Sequence, residues 1–326
     1  MSHSFLGIDY SMVIARYIVF RIVFRDYAEL PGWKGNLLRG SIGSVLPKIC
    51  GLEKFNCLRC SIWDQCPYGY LFRARSKGIV LKRIMGISKP FVLKPPLTRE
   101  RIFEPDDILE FSIVLFGDAL RFEKDLILSI LKLGEKGIGV KDLRGRFNVS
   151  EIIVKNPYTG LESIIYRDGV MYESRTNITF GDLMSRVEEL IDNNVFIIDF
   201  LTPYRIVSKN ETIAILDFTT ITKYASRRFT NIFAQYMYKI PRYNIHKVLE
   251  KTEDIEIREL EVNKVEIKYR GIPEEYYIGK YVFQGEIDKT IATILTFTEL
   301  AHIGKRASYG HGWYKIQTIK QPTEIQ

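Results

Sequence analysis

The sequence lacks any apolar run of the roughly 18 residues that a membrane-spanning helix needs. Its long apolar stretch VIARYIVFRIVF is interrupted by Arg16 and Arg21. At the N-terminus, no basic segment precedes an apolar core, so we expect no signal peptide. These absences predict a soluble, cytoplasmic protein without a membrane partner.

Histidine is scarce, with 4 residues in 326. None of them accompanies a serine or cysteine in a recognisable nucleophile pattern, and no carboxylate arrangement indicates a metal-dependent nuclease. His302 ends a predicted helix, where packing competes with a role in proton transfer. His311 lies in a glycine-rich loop, where RNA contact, proton transfer and packing are the alternatives.

Cysteine is equally scarce, and all 4 residues fall in one short segment, at Cys50, Cys57, Cys60 and Cys66. Four thiolates satisfy the tetrahedral preference of zinc, which predicts a structural metal site. The spacing is irregular for a two-knuckle ribbon, so disulfides and free thiols remain alternatives. We expect no catalytic metal, since the segment contributes no histidine ligand.

Positive charge is in excess and localised. The formal net charge is +8, and the window Arg73–Arg101 alone holds nine basic residues against the single acid Glu100. An RNA or DNA surface is the functional interpretation, and a disordered basic loop is the alternative. A second acid-free stretch, Thr219–Arg242, contributes Arg227 and Arg228 as candidate RNA-binding residues.

Near the C-terminus, the apolar run TIATILTFTEL leads into a loop that combines glycine with basic residues. Glycine lets backbone N–H groups approach an anion closely, and basic side chains attract phosphate. A flexible helix-to-strand turn is the competing interpretation. The candidate RNA-binding residues of this loop are Gly304, Lys305, Arg306, Gly310, His311 and Gly312.

The order of predicted elements repeats between the two halves of the chain. Each half has a strand, a helix, further strands, a second helix and a strand, and a glycine-rich basic turn follows the second helix. This order predicts an α+β fold of tandem ferredoxin-like (RRM-type) domains, with a cysteine-rich insertion in the first. We place the domains at residues 1–155 and 195–326, joined by a junction at 156–194.

Several segments, in the same order, resemble the CRISPR-associated repeat-RNA endoribonucleases, the Cas-six family of the RAMP superfamily. The match includes a cysteine-containing branch of that family and spans most of the chain. The segments are LPGWKGNLLRGSIG, CLRCSIWDQCPYGYLF, GEKGIGVKDLRGRF, FLTPYRI and GKRASYGHGW.

The resemblance implies binding of CRISPR repeat RNA and metal-independent cleavage, in which a ribose 2′-OH attacks the adjacent phosphate and leaves a 2′,3′-cyclic phosphate. Many family members use a first-domain histidine, but here that domain offers only His3. Lys34 and Arg39, on the predicted first helix, are therefore the candidate catalytic residues, and phosphate contact or surface charge is their alternative role.

Two other functions remain open. The chain is alternatively a non-catalytic RAMP subunit that holds guide RNA in a CRISPR effector complex, or a zinc-containing DNA-binding regulator. Association with effector subunits and formation of a homodimer are open as well.

Overall fold

The computed structural model describes residues 4–49, 51, 60–76, 87–269 and 271–319. The chain divides into two compact units. The unit here called the first domain comprises Val13–Thr179 and Asn231–Lys239, and the second domain comprises Met1–Met12, Phe180–Thr230 and Ile240–Gln326. Within the described ranges, no helix is both long enough and apolar enough to cross a membrane.

The elements alternate along the chain as an α+β pattern requires. The helices are α1 Gly35–Ile49, α2 Pro67–Phe72, α3 Glu123–Lys136, α4 Phe180–Ile191, α5 Phe218–Tyr236, α6 Ile245–Glu250 and α7 Lys289–Ala301. The strands are β1 Ser4–Phe5, β2 Ile8–Asp9, β3 Val13–Phe24, β4 Ala28–Glu29, β5 Phe91–Lys94, β6 Ile102–Phe103, β7 Ile108–Phe116, β8 Ile138–Val140, β9 Leu143–Gly145, β10 Phe147–Lys155, β11 Glu162–Arg167, β12 Val170–Met171, β13 Ile178–Thr179, β14 Val195–Phe200, β15 Val207–Ser208, β16 Glu211–Thr212, β17 Glu256–Tyr269, β18 Ile272–Gln284 and β19 Tyr314–Thr318.

The first domain is built on one antiparallel sheet with the order β12-β11-β10-β3-β7-β5, and β13 also pairs with β3. In chain order its main elements are β3, α1, β5, β7, α3 and β10. The sheet order of β10, β3, β7 and β5 is that of the ferredoxin-like βαββαβ unit. Helices α1 and α3 pack against each other, and α3 also packs against β10.

The arginines of the long strand β3 are paired. The guanidinium of Arg16 lies 3.0 Å from the carboxylate of Glu123 and donates to the carbonyl of Ser174 at 3.0 Å. On the same strand, Arg21 Nη1 lies 2.8 Å from Glu151 Oε2. Because a charge that leaves water needs compensating partners, these pairs explain how an apolar strand accommodates two arginines.

The second domain has a four-stranded antiparallel sheet with the order β17-β18-β14-β19, and α5 and α7 are its long crossing helices. This is again the ferredoxin-like strand order. In the central strand β14, Ile198 is opposite Tyr281 on one side and Ile316 on the other. All three side chains are buried and form part of the core.

The region predicted as a junction, residues 156–194, is structured. It contains β11, β12, β13 and α4, and the division between the two domains falls between Thr179 and Phe180. Two details differ from the predicted boundaries: residues 1–12 belong to the second domain, and the end of α5 belongs to the first. The cysteine-rich insertion stays a prediction, since Cys50 and residues 52–59 lie outside the described ranges.

Candidate nucleic-acid interface

The glycine-rich loop of the second domain requires glycine for stereochemical reasons. Gly304, Gly310 and Gly312 have φ angles of +86°, +94° and +68°, which side chains disfavour. A Cβ on Gly304 would lie 2.8 Å from the carbonyl oxygen of Arg205, and a Cβ on Gly312 would collide with the carbonyl oxygen of Ile303. The backbone is therefore both left-handed and closely packed at this loop.

Hydrogen bonds fix the loop to the segment that follows β14. Gly312 N donates to the carbonyl of Pro203 at 3.0 Å. The hydroxyl of Thr202 donates to the carbonyl of Gly310 at 2.7 Å and accepts from Trp313 N at 2.9 Å. These bonds favour a defined surface over the alternative of a flexible turn.

The side chain of Arg306 is directed into its own domain. It donates to Glu274 Oε1 at 2.8 Å and to the hydroxyl of Tyr276 at 2.6 Å, and its guanidinium also pairs with Glu274 Oε2. The guanidinium carbon lies 3.5 Å from the ring centroid of Tyr269. Because Glu274 neutralises this charge, an RNA phosphate would compete with an existing partner; phosphate contact by Arg306 stays a prediction.

Both histidines of this region are fully buried. His311 stacks on Tyr276 with ring centroids 4.4 Å apart, and its Nδ1 lies 3.2 Å from the carbonyl of Pro203. Burial lowers the pKa of His311 to about 3, so the ring is neutral at physiological pH. His302 stacks on Trp313 at 5.9 Å. These surroundings favour packing roles for both rings.

The other predicted RNA-binding cations of this domain divide by exposure. Lys305 and Arg227 are exposed to solvent. Arg228 is buried and donates from Nε to the carbonyl of Ala301 at 3.0 Å, which caps the end of α7. Lys305 and Arg227 thus face solvent, whereas Arg228 stabilises the fold. Contact of Lys305 or Arg227 with RNA stays a prediction.

Lys34, the first candidate catalytic residue, immediately precedes α1 and is only 1% exposed. Its Nζ donates to the carbonyls of Thr98 at 3.0 Å and Glu100 at 2.6 Å. Burial lowers the pKa of Lys34, and the charge of Glu100 acts in the opposite direction. The amine therefore anchors the segment ahead of β6, and this burial argues against direct contact with a substrate.

Arg39, the second candidate, is partly exposed and lies over aromatic rings. Its guanidinium carbon is 5.0 Å from the ring centroid of Phe72 and 5.9 Å from that of Phe91. Phe72 stacks on Tyr68 at 5.6 Å, and Arg73 Nε donates to the Tyr68 hydroxyl at 3.3 Å. With a neighbouring lysine, these side chains form what we call the cationic–aromatic cluster: Arg39, Tyr68, Phe72, Arg73, Lys89 and Phe91.

Close packing of α1 against α2 positions this cluster. A Cβ on Gly43 of α1 would lie 2.9 Å from the ring of Phe72, so the glycine permits this approach. At the start of α2, Cys66 Sγ accepts a hydrogen bond from Gly69 N at 3.4 Å and caps the helix.

Lys89 is the member of the cluster that sequence analysis did not single out. Its Nζ donates to the carbonyl of Ala74 at 3.2 Å. Burial, reinforced by repulsion from Arg39 and Arg73, lowers the pKa of Lys89 to about 8. The basic window Arg73–Arg101 includes this lysine, but nothing in its spacing distinguishes it from eight basic neighbours.

The predicted metal site cannot be assembled from the described residues. Cys60 and Cys66 are free thiols, and Cys50 and Cys57 lie outside the described ranges. Within those ranges, no three His, Cys, Asp or Glu side chains are arranged to hold a metal ion. A structural zinc bound by the four cysteines stays a prediction.

Two family models match successive parts of the chain. Residues 12–177 match AF_1859_N, an N-terminal domain family. Residues 198–314 match the family of the CRISPR-associated endoribonuclease Cas6. Residues 198–314 therefore carry a Cas6-family domain. The resemblance drawn from the ordered motifs is thereby confirmed, while assignment to a cysteine-containing branch stays a prediction.

Individual relatives are distant. An uncharacterised protein from Archaeoglobus fulgidus is 27% identical over 313 residues, covering 91% of this chain and 96% of its own. Among solved structures, a Cas6 product complex has a TM-score of 0.57 at 12% identity, covering 93% of this chain and 100% of that chain. Thermus thermophilus Cas6 has a TM-score of 0.55 at 13% identity, covering 94% and 99%.

A longer solved chain, in a partial Cas6-RT-Cas1–Cas2 complex, has a TM-score of 0.62 at 11% identity over 97% of this chain. The present chain spans about half of it, 48%. These similarities concern the fold, and with the two strand orders they confirm the predicted tandem ferredoxin-like architecture.

Proposed function

We propose that this protein is a member of the Cas6 family that binds CRISPR repeat RNA and cleaves it without a metal ion. The 2′-oxygen of one ribose attacks the adjacent phosphorus, the bond from phosphorus to the 5′-oxygen breaks, and a 2′,3′-cyclic phosphate remains. The observation that carries the proposal is the match of residues 198–314 to Cas6 endoribonucleases, which includes the entire glycine-rich loop.

The second domain contributes binding in this proposal. The hydrogen-bonded loop presents the exposed Lys305, and α5 presents the exposed Arg227. Cations that contact phosphates release counterions, so affinity should fall steeply as salt rises. Gly304, Gly310 and Gly312 shape the loop, and Arg306 and His311 hold it in place from inside the domain.

The first domain contributes charge stabilisation. In-line attack by a 2′-OH benefits most from orientation of the reacting groups and from cations around the pentacoordinate phosphorane. The cationic–aromatic cluster offers two guanidinium groups and one amine over packed rings. Arg39 is therefore the sequence-predicted catalytic candidate whose position suits this role, and Lys34 supports the fold beside it.

The proposal is tested with a labelled repeat RNA, in EDTA, under single-turnover conditions. We expect one cut and a 3′ end that resists phosphatase until acid opens the cyclic phosphate. A 2′-deoxy substitution at the scissile position should preserve binding and abolish cleavage. Cleavage that persists on the 2′-deoxy RNA, or that requires added metal, would contradict the mechanism.

A specific observation favours a second candidate, the guide-holding RAMP subunit. His302 and His311 are both buried against aromatic rings, so neither is placed for proton transfer. The same assay separates the candidates, because a guide-holding subunit binds the RNA and never cuts it. Effector subunits or a second copy of the chain as partners remain proposals, tested by size-exclusion chromatography with and without RNA.

A further inference from the structure

A cavity of the first domain lies between α1, the end of α3 and the β8–β9 hairpin. It shares no residue with the cationic–aromatic cluster. Its volume is about 280 Å³, which is room for several water molecules at roughly 30 Å³ each and hence for a phosphate group. The segment GEKGIGVKDLRGRF, whose glycine and basic residues the proposed function does not use, supplies one side of its lining.

The charged side chains that line this cavity are both cationic. They are Lys136, the last residue of α3, and Arg144 in β9. Among the described residues, Lys136 Nζ donates to the hydroxyl of Ser44 at 3.4 Å, and neither cation pairs with a carboxylate. The nearby Asp142 is exposed and lies outside the lining. Two cations at one cavity without an acid in its wall attract an anion.

The backbone holds the cavity in shape. Gly137 ends α3 with a φ angle of +76°, and a Cβ there would lie 2.8 Å from the carbonyl oxygen of Gly145, so α3 leads directly into the β8–β9 hairpin. In that hairpin Gly139 is opposite Arg144. On α1, the hydroxyl of Ser44 donates to the carbonyl of Ser41 at 2.7 Å. The polar groups of the lining are therefore attached to regular, hydrogen-bonded structure.

Gly40, in the interior of α1, lines the same cavity. Glycine weakens a helix interior relative to alanine. A Cβ added at Gly43 would meet the ring of Phe72 at 2.9 Å, whereas one added at Gly40 would meet no atom within 4 Å among the described residues. Packing therefore explains Gly43 and leaves Gly40 unexplained, and a ligand that occupies the open space would account for it.

We propose that this cavity binds a phosphate group of the repeat RNA, an inference that rests on the function proposed above. The ammonium of Lys136 and the planar guanidinium of Arg144 donate charge-assisted hydrogen bonds to phosphate oxygens. The hydroxyls of Ser41 and Ser44 add neutral donors. The contact gives the first domain a share in RNA affinity. Free phosphate has the same chemistry, so the test separates the two sources.

The first test removes both cations. In Lys136→Met/Arg144→Met, the slope of log RNA affinity against log salt concentration should fall by about one unit, because one phosphate contact is lost. The matched control is Lys132→Met/Lys141→Met, which removes two exposed lysines from the same helix and hairpin that do not line the cavity. The control should leave the slope unchanged. An equal reduction in both double variants would overturn the proposal in favour of diffuse charge.

The second test fills the cavity and keeps its charge. Gly40→Ala should raise the melting temperature, since alanine favours the helix and meets no neighbour. Gly40→Leu should melt no lower than the wild type and should reduce the salt slope of RNA affinity by about one unit, because the side chain occupies the space of the phosphate. A folded Gly40→Leu with the wild-type slope would show that RNA does not enter the cavity.

Melting in phosphate identifies the source of the anion. At equal ionic strength, replacing chloride with inorganic phosphate should raise the melting temperature of the wild type more than that of Lys136→Met/Arg144→Met. If phosphate does so while both double variants bind RNA with the wild-type slope, the cavity binds free phosphate and the RNA assignment fails. If the wild type does not bind repeat RNA, the proposed function fails, and phosphate-dependent melting still decides whether the cavity binds an anion.

Discussion

Three glycines of the second domain differ in surroundings while sharing a left-handed backbone. Gly271, Gly304 and Gly312 have φ angles of +82°, +86° and +68°. An alanine in this conformation costs about 1–2 kcal/mol of strain, partly offset by about 0.4–1 kcal/mol of reduced entropy in the unfolded chain. Among the described residues, no atom lies within 4 Å of a Cβ added at Gly271, so Gly271→Ala should cost about 1 kcal/mol or less.

The loop glycines add a steric conflict with backbone atoms that cannot rotate away. At Gly304 the added Cβ would lie 2.8 Å from the carbonyl oxygen of Arg205, which also accepts from Lys305 N at 2.8 Å. At Gly312 it would collide with Ile303, whose N–H donates to the Gly312 carbonyl at 3.0 Å. Each weakened hydrogen bond costs about 0.5–1.5 kcal/mol net.

We therefore expect Gly312→Ala to destabilise the protein most, by about 2–4 kcal/mol, followed by Gly304→Ala at about 1–3 kcal/mol. Chemical denaturation of the three variants measures the order, and Gly271→Ala is the matched control for strain alone. RNA affinity should fall for Gly304→Ala and Gly312→Ala and remain unchanged for Gly271→Ala. Equal destabilisation by all three would refute the argument that close approach selects glycine in this loop.

Three further predictions concern acid, salt and metal. The folded state leaves His311 neutral down to about pH 3, whereas the unfolded chain protonates it below 6.5. Stability should therefore fall by about 2 kcal/mol more between pH 7 and pH 5 in the wild type than in His311→Phe, with His246→Phe as the exposed control. Lys305→Ala and Arg227→Ala should each reduce the slope of log RNA affinity against log salt concentration by about one unit. Arg228→Ala should leave this slope unchanged, measured on protein that thermal melting shows to be folded. If the four cysteines converge on zinc, elemental analysis should find one zinc per chain after dialysis, and its removal should lower the melting temperature without stopping cleavage in EDTA; a zinc-free native protein would contradict this.

Much of the fold could be predicted because its signals are local. The long apolar stretch VIARYIVFRIVF forms β3, and the apolar run TIATILTFTEL ahead of the glycine-rich loop lies within α7. Both segments are rich in apolar residues, and such runs predict buried strands and helices. Short elements such as α2 and β5 were missed because their signal depends on what they pack against, and sequence spacing does not contain that information.

The site was predicted less well for the same reason. The sequence predicts the glycine-rich loop and its basic residues, because a stretch rich in both residue types is visible in the composition alone. The sequence could not predict whether a basic side chain of this loop faces solvent or packs into its own domain. Arg306 meets Glu274 from a strand 32 positions earlier, and His311 meets Tyr276, so tertiary pairing determines their roles.

The two lysines of the first domain show how burial alone fails to assign a role. Lys34 and Lys89 both have a lowered pKa, but Lys34 donates to two carbonyls and gains an opposite charge from Glu100, so its amine stabilises the chain that it ties together. Lys89 has one carbonyl acceptor and two like-charged neighbours. Its pKa falls from 10.5 to about 8, so holding it protonated below pH 8 costs on the order of 3 kcal/mol.

That cost has a definite sign with pH. Between about pH 8 and 10.5 the unfolded chain binds a proton at Lys89 that the folded state has released, so the penalty diminishes as pH rises through this range. At neutral pH the protein therefore retains an amine that its own fold disfavours. An anion bound beside Lys89 would reduce this penalty by supplying negative charge.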